Sequence, residues 1–396
     1  MSHPDAAATK TGVSDLQRKI AELFADNFAR RGELGASVSI WQNGREIVSL
    51  AKGWRDRDKT KPWTPQTPVL VYSATKGPAA ACVLHALEKE ARDLTMRVAE
   101  VWPEFAAAGK DKITVGDVLS HRAGLAALST APDVFDHAAV VRAMEAQPPL
   151  WTLDEGHGYH PRTFGFLLDE IVRRITGETL GSYWRAHFAE PLALDFWIGL
   201  PPGKLDAVSP IHTARVPPPD DAFLQAFSDP ASLTNRAFAS PRGLHSVSAM
   251  NSPEARTAEF PAFGGIGTAN ALGKFYAMLA NGGELDGQSC FSPQAIAWMS
   301  APLARGFDKV LQIPTAFSAG FMQDPLDADG RKMRTIFGPS RLAFGQPGAG
   351  GSLAFADPEH GVAFAYIMNQ MEPGVLPNEK SLRLVRAIYG AREHTA

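Results

Sequence analysis

The sequence predicts an α+β protein: one antiparallel sheet assembled from both ends of the chain, flanked by terminal helices, with a mostly helical inserted domain between them. Three observations lead there. Alternating apolar residues on either side of Asn43-Gly44 mark a hairpin near the start, and a second such pair around Asp357-Pro358-Glu359-His360 marks one near the end. Between them the chain is helical or irregular, with no internal repeat.

Residues 1–13 read as a mobile tail. From residue 14 to 31, Leu16, Ile20, Leu23, Phe24 and Phe28 recur at helical spacing, opened by Ser14 and Gln17 in capping-box positions. Ala36 to Trp41 and Arg45 to Lys52 then alternate as two strands. Pro78 to Lys89 is strongly helical, and its one proline lies in the first turn, where no intrahelical hydrogen bond is lost. Residues 201–262 are rich in Pro, Ser and Ala, include Val216-Pro217-Pro218-Pro219-Asp220-Asp221, and lack sustained periodicity. So long an irregular stretch in a compact protein predicts a pocket wall or lid. Gly351 to Ala356 and Gly361 to Met368 supply the second hairpin, and Leu382, Leu384, Val385, Ile388 and Tyr389 give a closing amphipathic helix over residues 381–391. The expected division is a sheet lobe from about residues 14–72 and 265–396, and a helical lobe with pocket loops from about 73–264.

Composition narrows the function. With 396 residues, 45% of them hydrophobic, the chain buries a large core, and a net charge of −3 leaves no basic footprint for nucleic acid and no polybasic membrane patch. A small neutral or mildly charged substrate fits better. No stretch reaches the eighteen or so apolar residues of a membrane span, and residues 1–10 carry no secretory leader, so the expected location is cytoplasmic. Cys82 and Cys290, far apart and without metal-ligand spacing, read as buried thiols. Neither a His-Glu-x-x-His run nor another paired-histidine spacing supports zinc, so neither metal nor cofactor is expected. Nothing in the sequence sets the oligomeric state.

The chemistry centres on Val71-Tyr72-Ser73-Ala74-Thr75-Lys76-Gly77-Pro78. Three residues apart at a helix start, Ser73 and Lys76 share one helical face. A lysine held in a poorly solvated pocket is driven toward its neutral form, and a neutral amine can take the serine proton. About one or two Ser-x-x-Lys matches arise by chance in a chain of this length. Ser49 and Lys52 are such a match, but on a strand positions i and i+3 face opposite sides, so they cannot cooperate.

Other candidates cluster in loops. Tyr159, in Gly156-His157-Gly158-Tyr159-His160-Pro161, precedes a helical run, and a phenol near a lysine can exchange protons with a reacting group. His157 and His160 flank it and are expected to be surface loop histidines, although both can line the pocket. Gly345-Gln346-Pro347-Gly348-Ala349-Gly350-Gly351-Ser352 precedes a predicted strand, where a backbone N–H together with that of Ser73 would form an oxyanion hole. It is not a phosphate loop, since no Lys-Ser/Thr follows and no helix opens after it. His121 suggests a Ser-His-Asp triad, but the chain has no Gly-x-Ser-x-Gly elbow. Phe223, Phe227, Phe238, Phe307 and Phe317 make an apolar pocket plausible.

Ser73-Ala74-Thr75-Lys76, Leu119-Ser120-His121-Arg122-Ala123-Gly124-Leu125, Tyr159, Phe263-Gly264-Gly265-Ile266-Gly267-Thr268-Ala269 and Phe344-Gly345-Gln346-Pro347-Gly348-Ala349-Gly350-Gly351 occur in one order. That order resembles the serine β-lactamase and penicillin-binding protein superfamily, and within it the class C-like branch that contains family VIII carboxylesterases. The resemblance runs from about residue 15 to about 390. It implies a β-lactamase/transpeptidase-like fold and a serine hydrolase acting on small acyl esters through an acyl-serine intermediate. Ser73 would be the nucleophile, Lys76 and Tyr159 its acid/base partners, and the N–H groups of Ser73 and Ala349 the oxyanion hole. Gln346, Gly348 and His160 would line the substrate pocket.

Two departures from the family pattern bear on substrate. Where β-lactamases and peptidases carry Tyr-x-Asn, this chain has Tyr159-His160-Pro161, and Gln346-Pro347-Gly348 replaces Lys-Thr-Gly or His-Thr-Gly. An amide that grips an acylamido substrate and a cation that pairs with a carboxylate are both missing, which disfavours a β-lactamase or D-alanyl peptidase and costs uncharged esters little. An acyltransferase to an acceptor other than water, and a catalytically silent scaffold of the same fold, are the remaining alternatives.

Overall fold

In the computed structural model of the chain, residues 5–215 and 221–390 are described, their side chains from residue 15 onward. Eight strands, β1 (Gly35–Gln42), β2 (Arg45–Gly53), β3 (Ala304–Phe307), β4 (Pro314–Phe317), β5 (Met322–Gln323), β6 (Phe344–Pro347), β7 (Leu353–Asp357) and β8 (Val362–Met368), form one sheet. Its order is β2-β1-β8-β7-β6-β5-β4-β3, so strands from the two ends of the chain meet where β1 pairs with β8, Ala36 opposite Met368. Every pairing is antiparallel.

Strand periodicity sorts the sheet into two faces. Along β8, Val362, Phe364, Tyr366 and Met368 join the core under α1 (Asp5–Arg30) and the closing helix (Glu379–Gly390), whose Leu16, Ile20, Phe24, Leu384, Val385 and Ile388 cover them. Ala363, Ala365 and Ile367 face the other way, toward the helix Ala269–Ala280. Small side chains on this face let that helix approach closely: a Cβ on its Gly273 would lie 2.7 Å from Ser39 Oγ. Each large apolar side chain buried on the bulkier face contributes about 1.5–3 kcal/mol.

Next in the chain, α2 (Lys76–Lys89) is buried from Lys76 to Leu87, as expected of a helix that is apolar on every side. It contacts the helix Thr163–Thr176, and Pro78 sits in its first turn. A small sheet of Val69–Leu70, Ile266–Gly267 and Phe196–Trp197 holds the approach to α2, with Ile266–Gly267 in the middle.

Three expectations need correction. The first helix begins at Asp5, not near residue 14. Ala6, Ala7 and Ala8 favour helix strongly but carry no apolar period, so periodicity does not register them. Ser14 therefore lies inside the helix, and the side chain of Gln17 donates to the Ile47 carbonyl at 2.6 Å instead of closing a cap. Cys82 is buried as expected, whereas Cys290 is half-buried. The irregular stretch is also more ordered than its sequence suggests. Val216–Asp220 lie outside the described residues, but beyond them come four short helices, Ala222–Ser228, Leu233–Ala239, Val247–Met250 and Pro253–Thr257. Asp221, Ser232, Ser246 and Ser252 cap their N-termini. The serines encode caps, and helices of one or two turns are too short to show a period.

Candidate active site

Ser73 occupies the second position of a 3-10 turn, Tyr72–Thr75, that runs directly into α2. Tyr72 holds a φ of +48°, a left-handed conformation that is costly for a bulky residue and persists only where the surroundings impose it. Those surroundings are on hand. Val71 N–H donates to Gly265 O at 2.9 Å, and Gly265 N–H donates to Thr75 Oγ1 at 2.8 Å, so the Gly264-Gly265 segment clamps both ends of the turn. A Cβ on Gly265 would fall 2.6 Å from Thr75 Oγ1, which is why glycine stands there.

The Lys76 amine is fully buried. Its Nζ lies 3.2 Å from Ser73 Oγ and donates to the carbonyls of Pro161 and Ala262, both at 2.8 Å. Burial holds its pKa well below the ordinary lysine value. A neutral amine has two N–H donors and one lone pair. Two carbonyls take the donors, and the third direction faces the serine hydroxyl. Aromatic rings supply the rest of the surroundings, with Nζ 4.7 Å from the centroid of Tyr159 and 6.0 Å from that of Phe164.

Tyr159 is brought to the same point. Its hydroxyl hydrogen-bonds Ser73 and accepts from Gln346 Nε2 at 3.2 Å, and burial, the largest influence, pushes its pKa up, so the phenol stays protonated near neutrality. The ring stacks on Phe317 at 6.0 Å, while its backbone N–H donates to Asp308 Oδ1 at 3.0 Å. Asp308 is buried and also accepts from the N–H groups of Val310 and Leu311.

On the other side of Ser73 runs the turn between β6 and β7. Gly348 comes against Val71, so close that a Cβ would fall 2.1 Å from Val71 O, and the turn is closed by Gly348 N–H donating to Ser352 O at 2.7 Å. Among the described residues the N–H groups of Ser73 and Ala349 have no acceptor, and both residues line one cavity of about 390 Å³. Two free donors beside a serine hydroxyl could together hold a negatively charged oxygen.

The cavity walls are Phe227, Phe238, Leu244, Met250 and Phe263, most of them from the stretch that sequence marked as a pocket wall. Of the other aromatics singled out there, Phe223 contacts the rings of Phe227 and Phe238, Phe317 lies under Tyr159, and Phe307 is 59% exposed on the edge strand β3.

His160 does not line the cavity, and neither it nor His157 is a surface residue; both are buried. The Nδ1 of His160 donates to Gly158 O at 2.7 Å and its Nε2 accepts from Leu125 N–H at 2.9 Å, so backbone groups occupy both nitrogens. Burial lowers its pKa to about 3. His121 accepts from His160 N–H at Nδ1 and packs against Tyr159 and Phe164, with no carboxylate partner among the described residues. It is no triad member. Ser49 and Lys52 are exposed on β2.

Comparison with known proteins agrees with this geometry. The Beta-lactamase family model matches residues 20–387. The chain belongs to the Beta-lactamase family. An esterase/β-lactamase, LipL, of Mycobacterium tuberculosis is 32% identical over 378 residues, covering 93% of this chain and 85% of the relative. A penicillin-binding protein homologue from Caulobacter crescentus superposes with a TM-score of 0.85 at 37% identity, covering 95% of this chain and 98% of the other. A family VIII carboxylesterase gives 0.84 at 32% identity, covering 95% and 97%. The expected superfamily and fold are therefore correct.

For this Beta-lactamase family member, sequence reasoning did not pick out Asp308, Arg162 or His245. Asp308 has no local motif. Arg162 had one signal, its position directly after Pro161 in the tyrosine loop.

Proposed function

We propose that this protein is a serine esterase that cleaves small acyl esters through an acyl-Ser73 intermediate. The observation that carries the reading is the Lys76 amine: buried, unpaired with any carboxylate among the described residues, and satisfied by two carbonyls so that its lone pair faces Ser73. In this reading the Ser73 proton passes to Lys76 Nζ as Oγ bonds the ester carbonyl carbon. The new ammonium is stabilised by the Tyr159 and Phe164 ring faces. The N–H groups of Ser73 and Ala349 hold the oxyanion. Collapse breaks the bond to the alkoxide, which takes the Tyr159 hydroxyl proton, and Lys76 returns a proton to the phenolate. Water then repeats the sequence on the acyl-enzyme and frees Ser73.

Substrate preference follows from what is absent. Gln346, where related enzymes carry a lysine or histidine segment, is buried and committed to the Tyr159 hydroxyl. The segment Gln346-Pro347-Gly348 itself carries no cation for a β-lactam carboxylate. Losing such a charge-assisted contact costs on the order of a hundredfold. Among the described residues no helix is long and apolar enough to cross a membrane.

The test is hydrolysis of p-nitrophenyl acetate, butyrate and octanoate by wild type and Ser73→Ala, with a chromogenic cephalosporin alongside. Ester turnover that disappears in the variant supports the reading, and equal inertness of both proteins on all esters refutes it.

A further inference from the structure

Arg162 is an oddity within the proposed esterase site. Its side chain lines the Ser73 cavity yet is only 6% exposed, and no carboxylate among the described residues pairs with it or lines that cavity. A buried guanidinium without a counter-ion is costly unless something neutralises it. The protein supplies only neutral acceptors: Nη2 donates to Gly243 O at 2.6 Å and Nη1 to Phe238 O at 3.4 Å, with the plane 5.1 Å from the Phe263 ring. Burial lowers its pKa to about 10, which leaves it charged at neutral pH.

The exposed His245 ring flanks the guanidinium, its Nε2 3.0 Å from Gly243 N and its Nδ1 3.2 Å from Arg162 Nη1. With no carboxylate beside it among the described residues, an anionic oxygen of a ligand would neutralise the guanidinium. The placement also fits catalysis, because the preceding residue, Pro161, gives its carbonyl to Lys76.

We propose that Arg162 and His245 form an anion subsite, and that the preferred esters carry a carboxylate on an apolar arm which reaches Arg162 while the Phe227, Phe238, Leu244 and Met250 walls hold the arm. The inference rests on the esterase reading and adds the substrate class. It places the recognition cation in the tyrosine loop, directly after Pro161, and not in the segment where Gln346 stands. Arg162 is here a specificity residue; it takes no part in bond making.

Two matched pairs test it: mono-p-nitrophenyl adipate against p-nitrophenyl hexanoate, for a carboxylate on the acyl arm, and 4-carboxyphenyl butyrate against phenyl butyrate, for one on the alcohol. Wild type should favour the carboxylated member of at least one pair in kcat/KM by roughly tenfold or more. In Arg162→Met that preference should vanish through KM, and Arg162→Lys should restore part of it. Because Arg162 also ties down Phe238 and Gly243, a variant that misfolds is covered by a second measurement. Calorimetry on the catalytically dead Ser73→Ala protein should show monomethyl adipate binding roughly tenfold or more tighter than methyl hexanoate, the advantage shrinking as salt rises. No preference in either pair together with equal binding of the two methyl esters overturns the subsite. No ester turnover by wild type, with monomethyl adipate still favoured in binding, would sink the esterase reading and leave the subsite standing.

Discussion

Removing one oxygen atom, in Tyr159→Phe, separates the catalytic from the structural work of the tyrosine. The ring keeps its stack on Phe317 and its place beside the Lys76 amine, and the backbone N–H keeps Asp308. What goes is the hydroxyl with its two contacts, to Ser73 and to Gln346 Nε2. The lost hydrogen bond strands the buried Gln346 Nε2 donor, at about 1–3 kcal/mol, offset in part by the hydroxyl's own desolvation cost, so stability should fall by no more than about 3 kcal/mol. Loss of a positioned general acid costs about 10²–10⁴ in rate, roughly 3–5 kcal/mol. The catalytic deficit therefore exceeds the structural one. The leaving group adds a sharper criterion. p-Nitrophenolate departs without help, whereas an alkoxide needs the phenol proton, so kcat for ethyl butyrate should fall at least tenfold further than kcat for p-nitrophenyl butyrate. Steady-state kinetics on both esters, with urea unfolding of the same samples, decide the matter. A folded variant that loses less than tenfold on the ethyl ester, or the same factor on both, removes Tyr159 from the proton path.

Three further outcomes are expected. In the proposed mechanism a neutral Lys76 is the active form, so kcat/KM should rise with pH through an apparent pKa well below 10.5, and Lys76→Met should lose ester turnover; a flat wild-type profile would count against a lysine base. His160 has a pKa of about 3 in the fold against an ordinary value of 6.5. Between those values the unfolded chain holds a proton the fold does not, so stability should fall as pH drops below 6.5, by up to about 1.4 kcal/mol per unit from this one residue, and urea midpoints of His160→Gln should show a shallower slope. Asp308→Ala strands the N–H groups of Tyr159, Val310 and Leu311, at about 1–3 kcal/mol each, so unfolding free energy should drop by at least about 3 kcal/mol; a smaller change would mean water replaces the carboxylate.

The Ser73–Lys76 contact is legible in the sequence because it is local. Ser73 and Lys76 are three residues apart, Pro78 marks the helix they share, and the decoy pair Ser49 and Lys52 is dismissed by strand alternation alone. The paired hairpins likewise announce a sheet built from both ends, because alternation and Asn43-Gly44 are properties of short segments. Burial of His157 and His160 is not local. A loop of Gly and His reads as surface until the sheet strand holding Thr315 and Phe317 closes over it, with Thr315 Oγ1 2.7 Å from His157 Nε2 and the Phe317 ring 5.6 Å from that imidazole. Arg162 fails to stand out for a related reason. An arginine ordinarily reads as solvated surface, and its burial beside Phe263 and Gly243 depends on segments some eighty to a hundred positions away. The early start of α1 shows the opposite limit, a helix formed by propensity without a hydrophobic stripe.

The most direct test of the account is to trap the covalent intermediate. The protein, mixed with p-nitrophenyl butyrate and quenched in acid within one turnover, should show by mass spectrometry a butyryl group on the peptide containing Ser73, and none in Ser73→Ala. Butyrate released with no acyl-Ser73 at any quench time, or an adduct on another residue, would contradict it.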